Sequence, residues 1–543
     1  MRHFRTWALL AISFISTLSC GTAPDLASYG SLDRSLVELL PNGKAKNVDV
    51  YSFNDFHGTL VEDIAVSADP ALQGKNPGAA KFAESVRILR AMNPNSVFVS
   101  AGDSYQGSAL SILTKGKIVS EIFREMGVAA SAVGNHEFDW GDGHFREWTE
   151  DGGFPFLAAN LIDKGSGMSP AWIRPYVVLS VGGHRIAFLG LVTTETLASV
   201  KRENVESYDF VDPSTSAKAW IKEIRRKDNP EAIIALTHIP ATTDRMDAGR
   251  VVGPTVSNEI EALSLVRGID AIVTGHSHAS VNGKINGKPV VQAYYNGRSL
   301  AKLSFAFKED GGFALSTSLV EIYKNKSTIA ENAAVRGIYN RYMNEYADVL
   351  LEEVARVEGD LWHANDKNVT PMGYWVCEAL RERFGAQVAV MNGGGLRKGF
   401  TEGPVAVQDF WDLMPFDNTA IVFKVSGAVL REIIDHGIDS PGFGNGQFSG
   451  LVAQYDPMKA YGGKVASMKL ADGTPVRDGG VYTVVTNDFI FLTGGDGYTM
   501  MPANDPLSYE ETFVPIRDVL MEKAKAEGTI VAQAADVLVM DQD

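Results

Sequence analysis

Across residues 46–320, short apolar runs closed by Gly, Asn, Asp or His alternate with longer amphipathic stretches. VDVYSFNDFHG, beginning at Val48, reads as a strand that delivers Asp55 and His57 to the loop beyond it, and SVFVSAGDSYQG places Asp103 after another strand. Residues 129–133 form a third run that ends at Gly134 and opens into NHEFD. EAIIALTHIP ends a strand at His238, and DAIVTGHSH ends one at His276 and His278. Helical spacing at residues 79–92, 118–126 and 216–226 separates these runs, which is the alternation of a layered α/β domain. Strand-like segments at 289–294 and 301–307 follow, so this domain closes near Leu319.

Residues 325–357 keep a helical spacing through Ile329, Ala333, Val335, Ile338, Tyr342 and Tyr346, which predicts a helix that links the first domain to a second. The second unit contains three glycine- or proline-marked loops: MNGGGLR, DLMPFDNT and TNDFIFLTGGDGY. The resulting division is a signal peptide at 1–19, a tether at 20–45, a first domain at 46–320, the linking helix at 321–357 and a second domain at 358–537.

Composition narrows the partners. A chain of 543 residues, 45% of them hydrophobic, can bury more than one core. Its formal charge of -16 leaves no basic surface to displace counterions from a nucleic acid polymer. Arg2 and Arg5 precede an apolar run at 7–18, the pattern of an export signal too short to span a bilayer permanently. Thr17-Leu18-Ser19-Cys20 resembles a bacterial lipoprotein cleavage box, which predicts acylation at Cys20, attachment to a membrane and a place in the periplasm or cell envelope. The alternative is a plain secretory signal cut nearby. The other cysteine, Cys377, falls in a helical pattern and reads as a buried free thiol.

The strand ends carry the chemistry. Asp55, His57, Asp103, Asn135, His238, His276 and His278 mix hard oxygens with borderline nitrogens, a set suited to zinc, manganese or iron. Seven such residues exceed the needs of one ion. Two divalent ions about 3.5 to 4 Å apart would use them, clamping a phosphoryl oxygen and lowering the pKa of a bound water. A lone histidine at a strand end is usually a hydrogen-bonded surface residue, but five of the ten histidines lie in these stretches.

NDFHG, GDSYQGS, GNHEFD, the histidine of LTHIP, and GHSH followed by PVVQAYYNGRSLAKL together resemble the metallophosphoesterase domain of the secreted 5'-nucleotidases. The resemblance extends over residues 46–537. It implies an α/β fold: a layered β-sandwich metallophosphoesterase domain with flanking helices, joined by the linking helix to a second α/β domain that binds the substrate. It also implies that Asp55, His57, Asp103 and His278 hold one metal and that Asp103, Asn135, His238 and His276 hold the other. His278 stands where the family often has Gln or Asn. His136 and Asp139 are implied to form a catalytic dyad in which the imidazole donates to a phosphoryl oxygen and the carboxylate holds its ring. Water would attack in line with the leaving oxygen, without a covalent phosphoenzyme.

In the second domain the resemblance implies that Arg397 binds phosphate, that two aromatics sandwich a nucleobase, that Asn418 touches its edge and that Asp496 holds the ribose hydroxyls. Phe416 is one aromatic. Phe489 and Phe491 compete for the second place, because the segment before Gly494 is one residue longer than the family pattern. HANDKNVT, at 363–370, stands where relatives carry one or two arginines, leaving Arg397 with Lys367 as a candidate substitute. The expected function is removal of phosphate from nucleotides outside the cytoplasm. Alternatives are a related metal hydrolase of UDP-sugars, cyclic nucleotides or a sulfur ester, and a surface nucleoside-binding protein without catalysis.

Overall fold

Two facing sheets build the first domain of the computed structural model, which describes residues 39–62, 75–247, 250–440, 444–503, 509–533 and 536–540. The leader, Cys20 and most of the tether lie outside the described residues. In the first sheet, Asn47–Phe53, Ser96–Ser100, Val128–Ala132 and Phe156–Leu157 run parallel, and Leu300–Phe307 and Phe313–Val320 join antiparallel at one edge. In the second, His184–Val192, Ala232–Asp247, Ala271–Gly275 and Lys288–Ala293 are parallel neighbours.

Strict alternation explains how both faces of these strands are buried. Val97 and Val99 point between the sheets, and Phe98 between them in sequence points to the helices outside. Ala232, Ile234 and Leu236 likewise meet the first sheet, while Ile233 and Ala235 face the helical layer on their own side. Helices Gly78–Met92 and Lys117–Met126 cover the first sheet, and Pro213–Lys227 and Asn258–Ser264 the second. Their ends are marked in the sequence: Asp212 accepts from the Thr215 amide ahead of Pro213, and Gly127 takes a left-handed conformation after Met126.

Two expected boundaries are corrected. The strand through His238 continues to Asp247, because past this point it pairs antiparallel with Arg250–Val256. The linking helix spans Ala333–Leu350, capped by Asn332, and stops short of residue 357. Glu353–Glu358 is instead a strand between Gly403–Ala406 and Thr529–Val531. The helix belongs to the first domain by packing: Val335, Tyr342 and Leu350 join its core, and the Tyr342 hydroxyl donates to Glu121 at 2.6 Å.

The second domain is a mixed sheet in the order Gly446–Ser449, Val388–Asn392, Val481–Asn487, Thr419–Ser426 and Tyr509–Pro515. Helices Pro371–Phe384 and Ile516–Glu527 cover one face and Gly427–His436 the other. Cys377 is buried and free, as its helical pattern predicts. The domains touch directly: Asp412 accepts from the Ala109 amide at 3.0 Å, and Trp411 packs against the first domain's core. Among the described residues, no helix is long and apolar enough to cross a membrane.

Candidate functional site

The carboxyl ends of strands from both sheets converge, which brings the ligand-type side chains together. Asp55 and His57 follow Asn47–Phe53, Asp103 follows Ser96–Ser100, Asn135 follows Val128–Ala132, and His276 and His278 follow Ala271–Gly275. Five of these residues have left-handed backbones: φ is 49° at Asp55 and His57, 54° at Asp103, 76° at His276 and 53° at His278. Non-glycine residues rarely adopt that region, and such strain gathers where surrounding structure fixes a functional geometry.

Asp55, His57 and His278 form one group of potential ligand atoms, and Asp103, His238 and His276 form another, each within 4.8 Å. The Asp103 carboxylate faces both: its Oδ2 is 3.1 Å from His238 Nε2 and 3.9 Å from His57 Nε2. Asn135 Oδ1 lies 2.8 Å from His276 Nδ1.

The hydrogen bonds behind these groups suit a cation. His57 Nδ1 meets the Gln106 carbonyl at 2.9 Å and His238 Nδ1 the Ala101 carbonyl at 2.7 Å. A carbonyl can only accept, so each Nδ1 donates and each Nε2 is the atom turned toward the ligand groups, free to offer a lone pair once a cation displaces any proton there. His238 Nε2 is buried against the Asp103 carboxylate, and His57 Nε2 faces His278 Nε2 at 3.0 Å. The carboxylates favour positive charge here: burial opposes protonation of His238, yet Asp103 and Asp55 bring its imidazole up to about 10. Burial likewise opposes ionisation of Asp55, but His278 and His238 hold its carboxyl down at about 2. Residues of this kind and placement fit two divalent ions.

His136 and Asp139 stand beside the two groups. His136 Nδ1 is 2.8 Å from Asp139 Oδ2, and the His136 amide donates to Asp103 Oδ1 at 2.9 Å. Burial lowers the imidazole's basicity, but Asp139 and Asp103 outweigh it and raise the pKa above the ordinary value. Sequence reasoning missed Glu137 between them. This buried side chain accepts from the amides of Ser104 at 2.7 Å, Asp103 at 2.8 Å and Gly134 at 2.6 Å, so one carboxylate gathers two ligand-bearing loops. Burial and Asp103 push its pKa up to about 7. An acid inside GNHEFD, flanked by residues already given roles, was the available signal.

The second domain closes the site from the other side. The Phe416 ring lies 5.6 Å from the His136 ring, and the Arg397 guanidinium lies 5.2 Å from the Phe416 ring. Arg397 is solvent-accessible in this cleft. Asn418 is buried, and Asp496 is half-buried with its carboxylate 2.7 Å from Asn392 Nδ2. Phe491 is core, packed against Phe423 and Tyr509, whereas Phe489 is half-buried beside Gly495. Lys367 is 60% exposed and lies 3.7 Å from Asp366. His363, in the stretch that departs from the family, is turned to the Gly393 carbonyl at 3.0 Å and Thr370 Oγ1 at 2.9 Å.

Comparison with known proteins accords with this arrangement. Residues 49–280 match the calcineurin-like phosphoesterase family, and residues 353–503 match the 5'-nucleotidase C-terminal domain family. The chain thus carries a calcineurin-like phosphoesterase domain followed by a 5'-nucleotidase C-terminal domain. It is 28% identical to a 5'-nucleotidase of Diplobatis ommata, across 84% of each chain. It is 27% identical to a Bacillus subtilis protein named endonuclease YhcR, over 98% of this chain but only 44% of that protein's length. A 5'-nucleotidase precursor from Thermus thermophilus shares the fold with a TM-score of 0.75 at 22% identity, covering 92% of this chain and 100% of that one.

Proposed function

We propose that the chain is an exported phosphohydrolase that removes phosphate from nucleotides in a cleft between its two domains. The observation that carries this reading is the approach of Phe416 to within 5.6 Å of His136, which sets a second-domain aromatic beside the dyad and both ligand groups of the first. Asp55, His57, Asp103 and His278 would hold one divalent ion, and Asp103, Asn135, His238 and His276 the other. Such a pair, when bound, polarises a phosphoryl oxygen and makes water a competent nucleophile near neutral pH.

The remaining steps belong to side chains. His136, kept protonated by Asp139, donates from Nε2 to a phosphoryl oxygen as negative charge grows in the transition state. Arg397 offers its planar fork to phosphate. Phe416 and Phe489 take the nucleobase between them, Asn418 meets its edge and Asp496 receives the ribose hydroxyls. Phe489 is preferred to Phe491 because a core ring cannot reach a base. The export pattern at 1–19 and the lipobox-like residues before Cys20 support release or anchoring outside the cytoplasm.

A wider substrate range is supported by the departure at 363–370. His363, kept neutral by burial, adds no cation to the clamp, and Lys367 offers at most one exposed ammonium in place of an arginine fork, so diphosphates, triphosphates and UDP-sugars are accepted alongside monophosphates. Phosphate release measured over these substrates with added manganese, zinc, cobalt or magnesium tests the reading, and activity on p-nitrophenyl phosphate alone would overturn the nucleotide assignment. His136→Ala should lower kcat by roughly two to four orders of magnitude with metal content unchanged. Loss of metal in that variant would show His136 to be a ligand instead.

A further inference from the structure

Lys201 belongs to the first domain and lies just before the turn Arg202–Asn204, yet its ammonium reaches two loops of the second. Its Nζ donates to the Asp417 carbonyl at 3.0 Å and lies 3.8 Å from Asp488 Oδ2. Asp417 sits between Phe416 and Asn418, and Asp488 immediately precedes Phe489. One side chain from across the interface therefore touches the neighbour of each aromatic assigned to the base.

The two loops are prepared for this contact. Arg517, only 7% exposed, holds the first from behind: it donates to the Met414 carbonyl and to Asp417 Oδ1, both at 2.8 Å, and stacks on Trp411 at 3.8 Å. Asp417 is thus fixed at its carboxylate by its own domain and engaged at its carbonyl by the other. In the second loop, Asp488 Oδ2 accepts from Thr419 Oγ1 at 3.1 Å, while Oδ1 is buried without a hydrogen-bond partner. The Lys201 ammonium lies on the Oδ2 side and leaves Oδ1 as it is, so what it offers is charge balance for a partly buried carboxylate, available only while the domains are together.

Resting on the nucleotide reading above, we propose that Lys201 is a positioning residue for the nucleoside half of the substrate. Its contacts across the domain interface set the separation of the segments that carry Phe416 and Phe489. Lys201 touches neither the ligand groups nor the dyad, so its loss should act on binding of the nucleoside and spare the chemistry. Its side chain is 41% exposed, which makes substitution compatible with folding.

The full-length, metal-loaded protein provides the test, with Lys201→Met, Lys201→Arg and Asp488→Asn compared on a nucleoside monophosphate and on p-nitrophenyl phosphate. Lys201→Met should raise KM for the nucleotide about five- to tenfold, the scale of one net hydrogen bond at a half-exposed side chain, while both constants for p-nitrophenyl phosphate stay within about twofold. Lys201→Arg should recover most of the loss. Adding Asp488→Asn to Lys201→Met should cost less than the two effects multiplied, because both remove one interaction. An unchanged nucleotide KM, or equal rises for both substrates, would overturn the role of Lys201 while leaving the nucleotide reading intact. A wild type without preference for nucleotides would overturn both together.

Discussion

At the scale of single residues, buried polar groups do more to define this protein than its exposed charges. Glu137 satisfies three backbone amides with one carboxylate, and removing an acceptor from buried donors costs about 1 to 3 kcal/mol for each group left unsatisfied. His363 makes a different demand: its Nε2 donates to the Gly393 carbonyl and its Nδ1 meets Thr370 Oγ1, in surroundings that disfavour its charged form. Burial brings its pKa down to about 4 from an ordinary 6.5. Between those values the unfolded chain binds the proton and the folded chain does not, so stability rises with pH. The contribution is complete above about pH 6.5 and is lost as pH falls toward 4, by on the order of 1 to 3 kcal/mol. Denaturant titrations at pH 7 and pH 4.5 should show a smaller acid loss for His363→Gln than for the wild type; equal losses would place the acid sensitivity elsewhere.

Elements and their ends were unequally legible in the sequence. Short two-faced strands are visible as apolar runs, and the glycines and aspartates that end them announce the loops, so Asp55, Asp103, Asn135 and His276 could be located before any contact was known. The strand through His238 runs past its apolar segment because residues beyond it form a hairpin with Arg250–Val256, and the linking helix ends early because Glu353–Glu358 pairs with strands distant in sequence, about which local periodicity carries no information. Glu137 and Lys201 escaped notice because their roles exist only as contacts between loops. Gly134 shows how tightly those loops meet, since a Cβ there would lie 2.2 Å from Asp103 Oδ1 and 2.6 Å from its amide nitrogen. Gly134→Ala should therefore displace Asp103, which faces both ligand groups, and elemental analysis should find both metal equivalents reduced. Retention of two equivalents with full activity would mean that Asp103 does not join the sites.

Over the whole molecule, the hydrophobic cores respect the boundary that the active cleft crosses. The buried residues of the first domain's three clusters end at Leu350, and those of the second domain's two clusters begin at Val354. The linking helix falls wholly on the first side, held by Glu121 through Tyr342, and exposed Leu351 and Glu352 make the connection. Each domain thus has the means to fold alone, whereas the cleft needs both. Residues 39–350 carry the ligand groups and the dyad; Arg397, Phe416, Asn418, Phe489 and Asp496 lie beyond. Produced alone, residues 39–350 should bind metal and still hydrolyse p-nitrophenyl phosphate, with kcat within about a hundredfold of the full chain, since the metal groups and the dyad stay while the Arg397 contact to phosphate is lost. The same fragment should treat nucleotides no better than the generic ester, with nucleotide KM raised by two orders of magnitude or so on losing base and phosphate contacts of about 1 to 3 kcal/mol each. A fragment that kept its nucleotide preference would place the nucleoside site on the first domain and remove the reason for the cleft.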